Sequence, residues 1–217
     1  MKKIFFSLIV LIALLINSAS VYSQAFEGII EFKKQTDFDT ISYIYYIKGD
    51  KIRVDEIGAN YGETQGGSYF IDTKEKKIIA VSHARRLYFE QPASPVPANT
   101  KGTPEVTKTK NTKVISGQTC TEYVVKCKEE NTQISYWLAS GNYNFFSPML
   151  KLLNRKDKSS VYFTKLTGVE GMFPFLSVET TIGGKDENTR LEVIKIQKKT
   201  IPASKFEIPK GYQKSEN

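Results

Sequence analysis

His83 is the only histidine in the 217-residue sequence, and it stands beside Arg85 and Arg86 in a stretch with turn character. An imidazole with no nearby cysteine and no paired carboxylate pattern offers neither a metal cluster nor a general base. It reads as a solvated surface residue. Cys120 and Cys127 are the only cysteines. If 118–126 is one extended strand, their Cα atoms stand roughly 23 Å apart with the side chains on opposite faces, whereas a bridge needs Cα atoms within about 7 Å. Both therefore read as free thiols, Cys127 sharing a face with Tyr123 and Val125. The sequence holds no Gly-x-Ser-x-Gly elbow, no Ser-x-x-Lys pair and no His-Glu-x-x-His helix. Asp186 and Glu187 fall in a glycine-rich turn and read as solvent-facing. The balance moves away from an enzyme, from metal or cofactor chemistry, and toward binding.

The elements that would position any site are hairpins. Short β-branched and aromatic runs at 26–32, 41–48, 51–57, 68–72, 78–82 and 87–90 are punctuated by turn residues, and strands resume at 106–115, 118–126, 132–138, 176–182 and 189–198. Gly49-Asp50 is a two-residue connection with glycine first, as a type II′ hairpin requires. It pairs Ile47 with Ile52, Tyr45 with Val54 and Tyr43 with Glu56 on a core face, and Tyr46 with Arg53 and Ile44 with Asp55 on an amphipathic face left to water. A count around 73–76 sets Phe70 opposite Ile79. A bend at 83–85 sets Val81 opposite Leu87 and Ile79 opposite Phe89, so that Phe70, Ile79, Val81, Leu87 and Phe89 line one surface. Pro92, Pro95 and Pro97 mark a flexible crossing over 92–104. Ser147-Pro148 signals a helix start, with Met149, Leu150, Leu152 and Leu153 as its apolar face. That helix either plugs the end of the core or covers an apolar groove as a lid.

The amino terminus speaks to compartment. Lys2 and Lys3 precede an uninterrupted apolar run over 4–16, and Val21-Tyr22-Ser23 supplies small or branched residues at the −3 and −1 positions. This is the pattern of a secretory signal peptide over 1–23, cleaved between Ser23 and Gln24. The apolar run is shorter than the ~20 residues that cross a bilayer. With no cysteine at the cleavage point the product is not a lipoprotein, and 24–217 is expected as one soluble domain, periplasmic or secreted. Nucleotides and nucleic acids are then not its partners. The formal charge is +8, two units of it from Lys2 and Lys3. Lysines interleaved with acids keep strands and turns solvated, and they offer an alternative contact with an anionic membrane surface.

Four segments carry a resemblance: the run from Tyr46 to Asp55 through Lys48-Gly49-Asp50-Lys51, the run from Ile115 to Tyr123, Ile134-Ser135-Tyr136-Trp137-Leu138-Ala139, and Phe206-Glu207-Ile208-Pro209-Lys210-Gly211-Tyr212. Together they resemble a family of exported envelope proteins of Gram-negative type known as domain of unknown function 4412. More distantly, the hairpin over 48–53, the meander over 69–89 and the ending over 203–212 are similar to the periplasmic lipoprotein carriers of the LolA/LolB type. The resemblance implies a mainly β, α+β fold: a strongly curved antiparallel sheet forming an unclosed barrel, with one or two short helices on its concave side or at its end.

It also implies a non-enzymatic envelope carrier or binding protein for a lipid, a lipidated protein or another apolar ligand. The expected groove comprises Tyr43, Tyr45, Ile47, Val54, Phe70, Ile79 and Phe89, covered by Met149, Leu150 and Leu153. Burial at ~0.8 kcal/mol per methylene gives a sixteen-carbon chain on the order of 10 kcal/mol before the costs of association, so such a site needs no polar motif. The alternative is a structural or protein-interaction module with a closed core and no ligand; a hydrolase comes third.

Overall fold

Alternation of branched and aromatic residues with polar ones builds β1 (Glu27–Thr36), β2 (Thr40–Lys48), β3 (Lys51–Gly58), β4 (Gly67–Asp72), β5 (Lys77–Ser82) and β6 (Leu87–Gln91) as one antiparallel meander. The computed structural model describes residues 25–58, 66–92 and 100–215. The expected cleavage between Ser23 and Gln24, and residues 93–99 of the expected crossing, lie outside the described residues. A second meander follows: β7 (Glu105–Ile115), β8 (Gln118–Cys127), β9 (Thr132–Ser140), then, after two helices, β10 (Met172–Thr181) and β11 (Thr189–Lys198). β1 joins the halves by pairing with β2 on one side and β11 on the other. A two-residue strand, β12 (Gln213–Lys214), adds in parallel to β6. The strand order β12-β6-β5-β4-β3-β2-β1-β11-β10-β9-β8-β7 leaves two unjoined edges, so the sheet is a half-barrel and not a closed one.

The β2–β3 hairpin has the expected register, with Ile47 opposite Ile52, Tyr45 opposite Val54 and Tyr46 opposite Arg53. Gly49 supplies the turn with φ 58°, a conformation that costs glycine nothing. At the junction of the two halves, a Cβ on Gly28 would run into the carbonyl oxygen of Gln197. Only glycine lets β1 approach β11 there.

The concave face is filled by both meanders and by two helices. α1 (Phe146–Leu153) starts earlier than the Ser147-Pro148 signal suggests, with Phe145 at the N-cap and no side-chain cap. Pro148 fits because its missing N–H lies in the first turn, where no intrahelical bond is lost. Asn154 ends the helix in the left-handed region (φ 45°, ψ 45°), its N–H donating to the Leu150 carbonyl. α2 (Lys158–Phe163) is capped by Asp157, whose carboxylate accepts from Ser160 N at 3.0 Å and Ser160 Oγ at 3.0 Å. Phe146, Met149 and Leu150 of α1 and Val161, Tyr162 and Phe163 of α2 are buried in the main core with Ile30, Ile47, Val54, Tyr136 and Phe175.

Two expectations change. The β5–β6 turn spans four residues, with Arg86 at φ 51°, so Ser82 and not Val81 faces Leu87, and Ala80 and not Ile79 faces Phe89. A slip of one residue reverses faces: Phe89 joins Val54 on the concave side, while Phe70 and Ile79 lie with Arg53 on the convex side. The convex face is also less open to water than expected. Residues 201–212 run across it, with Lys48 Nζ donating to the Ile201 carbonyl at 2.9 Å, Ile201 N donating to Glu27 Oε1 at 2.8 Å, and the Lys205 ammonium 4.3 Å from the centre of the Tyr46 ring. Phe70 is buried there under the Arg53 guanidinium, 5.2 Å from its ring.

Both thiols are free, and Cys127 shares its buried face with Tyr123 and Val125. Cys120 is equally buried and belongs to the same cluster, although simple alternation sets it on the other face. β8 joins β9 only from Thr121 onward, and the irregularity in its pairing with β7 adds residues to β7 between Lys108 and Thr112, so neither pairing accounts for the burial of Cys120. Burial pushes the Cys120 thiol up to about 11.

Candidate binding site

Between the helices and the concave face lies a cavity of about 70 Å³. β1 and β2 form one wall: Phe32 stacks on Tyr43 at 5.0 Å between ring centres and meets Tyr45 edge-on at 4.8 Å. Tyr136 of β9 and Phe173 of β10 form the opposite wall, while Phe146 and Leu150 of α1 and Phe163 of α2 close it. Phe146 contacts Phe163 and Phe173 edge-on at 4.9 and 4.6 Å, the tilted geometry that ring quadrupoles favour.

The two covering helices are held differently. α2 is tied to the sheet by polar bonds: Tyr136 OH donates to the Ser159 carbonyl at 2.6 Å, Tyr162 OH donates to Glu130 Oε2 at 2.6 Å, and Lys158 Nζ donates to Thr132 Oγ1 at 2.5 Å. α1 packs on the sheet through the apolar side chains of Phe146, Met149 and Leu150, and Arg155 just beyond its end hydrogen-bonds the Tyr43 side chain of β2.

Four charged residues line the cavity: Lys34, Arg155, Asp157 and Glu192. Arg155 follows the left-handed turn at Asn154, and its guanidinium carbon lies 5.9 Å from the centre of the Tyr43 ring. Burial pushes the Tyr45 phenol up to about 12, with Arg155 pulling the other way, and burial followed by Glu56 also raises Tyr43. Both phenols stay protonated at neutral pH and serve as weakly polar walls.

The expected groove residues separate into four places. Tyr43, Tyr45 and Leu150 line the cavity. Ile47, Val54 and Met149 are fully buried core beneath it. Phe89 and Leu153 border a second, open depression between α1 and β5–β6, together with Ile78 and Leu152. Phe70 and Ile79 lie on the convex side, where the pairing of Arg53 with Phe70 and of Phe70 with Ile79 sets them. The sequence reading missed Arg155, Lys34 and the whole β9–β10 wall. Tyr136 and Phe173 were visible as aromatics but could be assigned to the cavity only through the β9–β10 pairing. Lys34 could have been found by counting two residues on from Phe32 along β1.

His83 is not the solvated residue its turn suggests. Its Nε2 lies 2.6 Å from Ser68 Oγ, which is 2.6 Å from Asp55 Oδ1, while its Nδ1 lies 3.0 Å from Tyr212 OH. Arg53 Nε donates to the same Asp55 oxygen at 2.6 Å. Burial, then Arg53, lowers the His83 pKa. This cluster lies at the convex edge, away from the cavity. Among the described residues no group of three or more His, Cys, Asp or Glu is arranged to hold a metal ion, and no helix is long and apolar enough to cross a membrane.

The family model described as Domain of unknown function (DUF4412) matches residues 26–212, and the chain belongs to that family. No curated protein matches it significantly. An uncharacterized conserved protein from Thermus thermophilus shares its fold, with a TM-score of 0.54 at 10% identity over 89% of this chain and 91% of that one. MucB gives a TM-score of 0.45 at 8% identity over 87% of this chain and 59% of its own. A LolA superfamily protein, NE2245 from Nitrosomonas europaea, gives 0.34 at 9% identity over 86% and 91%.

Proposed function

We propose that this member of the DUF4412 family is a non-enzymatic envelope carrier or binding protein, exported by its amino-terminal signal, that holds an apolar ligand against the concave face of its half-barrel. The ligand is a lipid, a lipidated protein or a similar apolar molecule. One observation carries the reading: an aromatic cavity lies beneath a helix, α1, that packs on the concave face through Phe146, Met149 and Leu150. A cavity of about 70 Å³ is well below the ~300–1,000 Å³ of typical ligand pockets. On this reading the structure is a closed form, and a long acyl chain requires α1 to move outward. The second reading, a module with a filled core and no ligand, is favoured by that same small volume.

Saturable binding separates the two. Delipidated protein is titrated with a fluorescent sixteen-carbon fatty acid, alongside a Ser177→Leu variant. Ser177 is buried, lines the cavity and donates to Ser159 Oγ at 3.4 Å. Leucine there fills the space, so the carrier reading expects saturable binding by the wild type and at least about a tenfold loss in the variant, equivalent to ~1.4 kcal/mol. A folded, delipidated wild type indifferent to the probe establishes the closed module instead.

A further inference from the structure

Resting on that binding reading, we infer that the cavity selects an amphiphile with an anionic head, a carboxylate or a phosphate held by Arg155 and Lys34 with its aliphatic tail against the aromatic walls. The argument comes from how the four charged lining residues are occupied. Asp157 is engaged in capping α2, accepting from both Ser160 N and Ser160 Oγ. Glu192 accepts from Arg190 Nε at 2.9 Å. The two acids are satisfied within the fold.

The two cations are not matched in that way. Among the described residues, neither Arg155 nor Lys34 forms an ion pair within 4.0 Å. Arg155 instead lies beside the Tyr43 ring, with the neutral Tyr43 side chain as a hydrogen-bond partner, partly buried at the edge of an apolar space. A partly desolvated guanidinium with no carboxylate in direct ion-pair contact, Asp157 acting on it only from a distance, gains most from an anion arriving in its plane, where two parallel N–H bonds meet two oxygens. Lys34 follows Phe32 on the same face of β1, opposite Ile41, and brings a second positive charge to the same lining. Walls of Phe32, Tyr45, Tyr136 and Phe173 are suited to an aliphatic tail.

The test uses four twelve-carbon probes below their micellar concentrations: laurate, dodecyl phosphate, dodecanol and dodecyltrimethylammonium. Affinities are measured by calorimetry at pH 7.5 for wild type, Arg155→Gln and Lys34→Gln, with melting curves to verify folding. At least one of laurate and dodecyl phosphate should bind about tenfold or more tighter than dodecanol, and the ammonium probe more weakly than either. The anionic preference should fall below about threefold in Arg155→Gln and shrink less in Lys34→Gln, which sits on a strand and does not alter the interhelical turn. Preference for laurate alone identifies a free carboxylate as the head; preference for dodecyl phosphate alone identifies a phosphate. Dodecanol binding as tightly as both anions, or a preference that survives in both variants, overturns the anionic head while leaving apolar binding intact. Failure of all four probes to bind folded protein overturns the binding reading, and this inference with it.

Discussion

A serine hydroxyl carries one proton, and that decides what His83 can do. Ser68 Oγ stands 2.6 Å from both Asp55 Oδ1 and His83 Nε2. An ionised aspartate only accepts, so Ser68 donates to Asp55 and receives from His83 Nε2–H, leaving Nδ1 to accept from Tyr212 OH. The imidazole cannot then act as a base toward Ser68, itself fully buried. The chain Arg53–Asp55–Ser68–His83–Tyr212 is a clasp that holds the carboxy-terminal segment, and it works with His83 neutral. Because burial and Arg53 lower the native pKa below the ordinary 6.5, the unfolded state binds the proton more readily. The stability His83 contributes is complete above about pH 6.5 and is lost as pH falls through the lower native value. Urea unfolding across pH 5–8 should therefore show the gap between wild type and His83→Gln largest above 6.5 and narrowing toward acid. A gap that stays constant or widens in acid contradicts the neutral clasp.

Elements with a strong period and a defined turn were legible in the sequence; junctions between distant segments were not. The Gly49-Asp50 turn determined the β2–β3 register because a two-residue loop leaves no slack, whereas the bend after Ser82 uses four residues and a left-handed Arg86, which no composition rule announces. That single residue moved Phe89 to one face while Phe70 and Ile79 remained on the other. Arg155 escaped notice for a different reason: it belongs to a short interhelical turn, where neither period applies. The β1–β11 junction also depends on tertiary approach, and Gly28 gives a direct test of it. Alanine there must displace the Gln197 carbonyl, with an expected loss of about 2–4 kcal/mol, the upper part of the range for point mutants. Gly49→Ala meets nothing within 4 Å and suffers only its left-handed backbone, about 1 kcal/mol. Denaturant melts should order the variants wild type, Gly49→Ala, Gly28→Ala; the reverse order would show that the halves are not joined through this contact.

At the scale of the whole molecule, the proposed carrier reading makes α1 a covering helix between two competing burials. Phe146, Met149 and Leu150 hold α1 down, and three such side chains are worth roughly 5–9 kcal/mol at ~1.5–3 kcal/mol each. An acyl chain returns on the order of 10 kcal/mol before association costs. Under the proposed carrier reading the two terms are close enough that ligand could drive opening and release could reverse it. Leu150→Ala tips this balance. Leu150 lines the cavity, so its truncation both enlarges the space and costs about 2–5 kcal/mol of stability. If α1 is a cover, a saturating fatty acid should occupy the enlarged space and recover part of that loss, about 2.7 kcal/mol at a ligand concentration one hundred times Kd. Thermal melts of Leu150→Ala with and without laurate measure the recovery. If α1 is a core plug, the variant is destabilised by the same amount and laurate returns none of it, because no binding-competent interior exists for the ligand to stabilise.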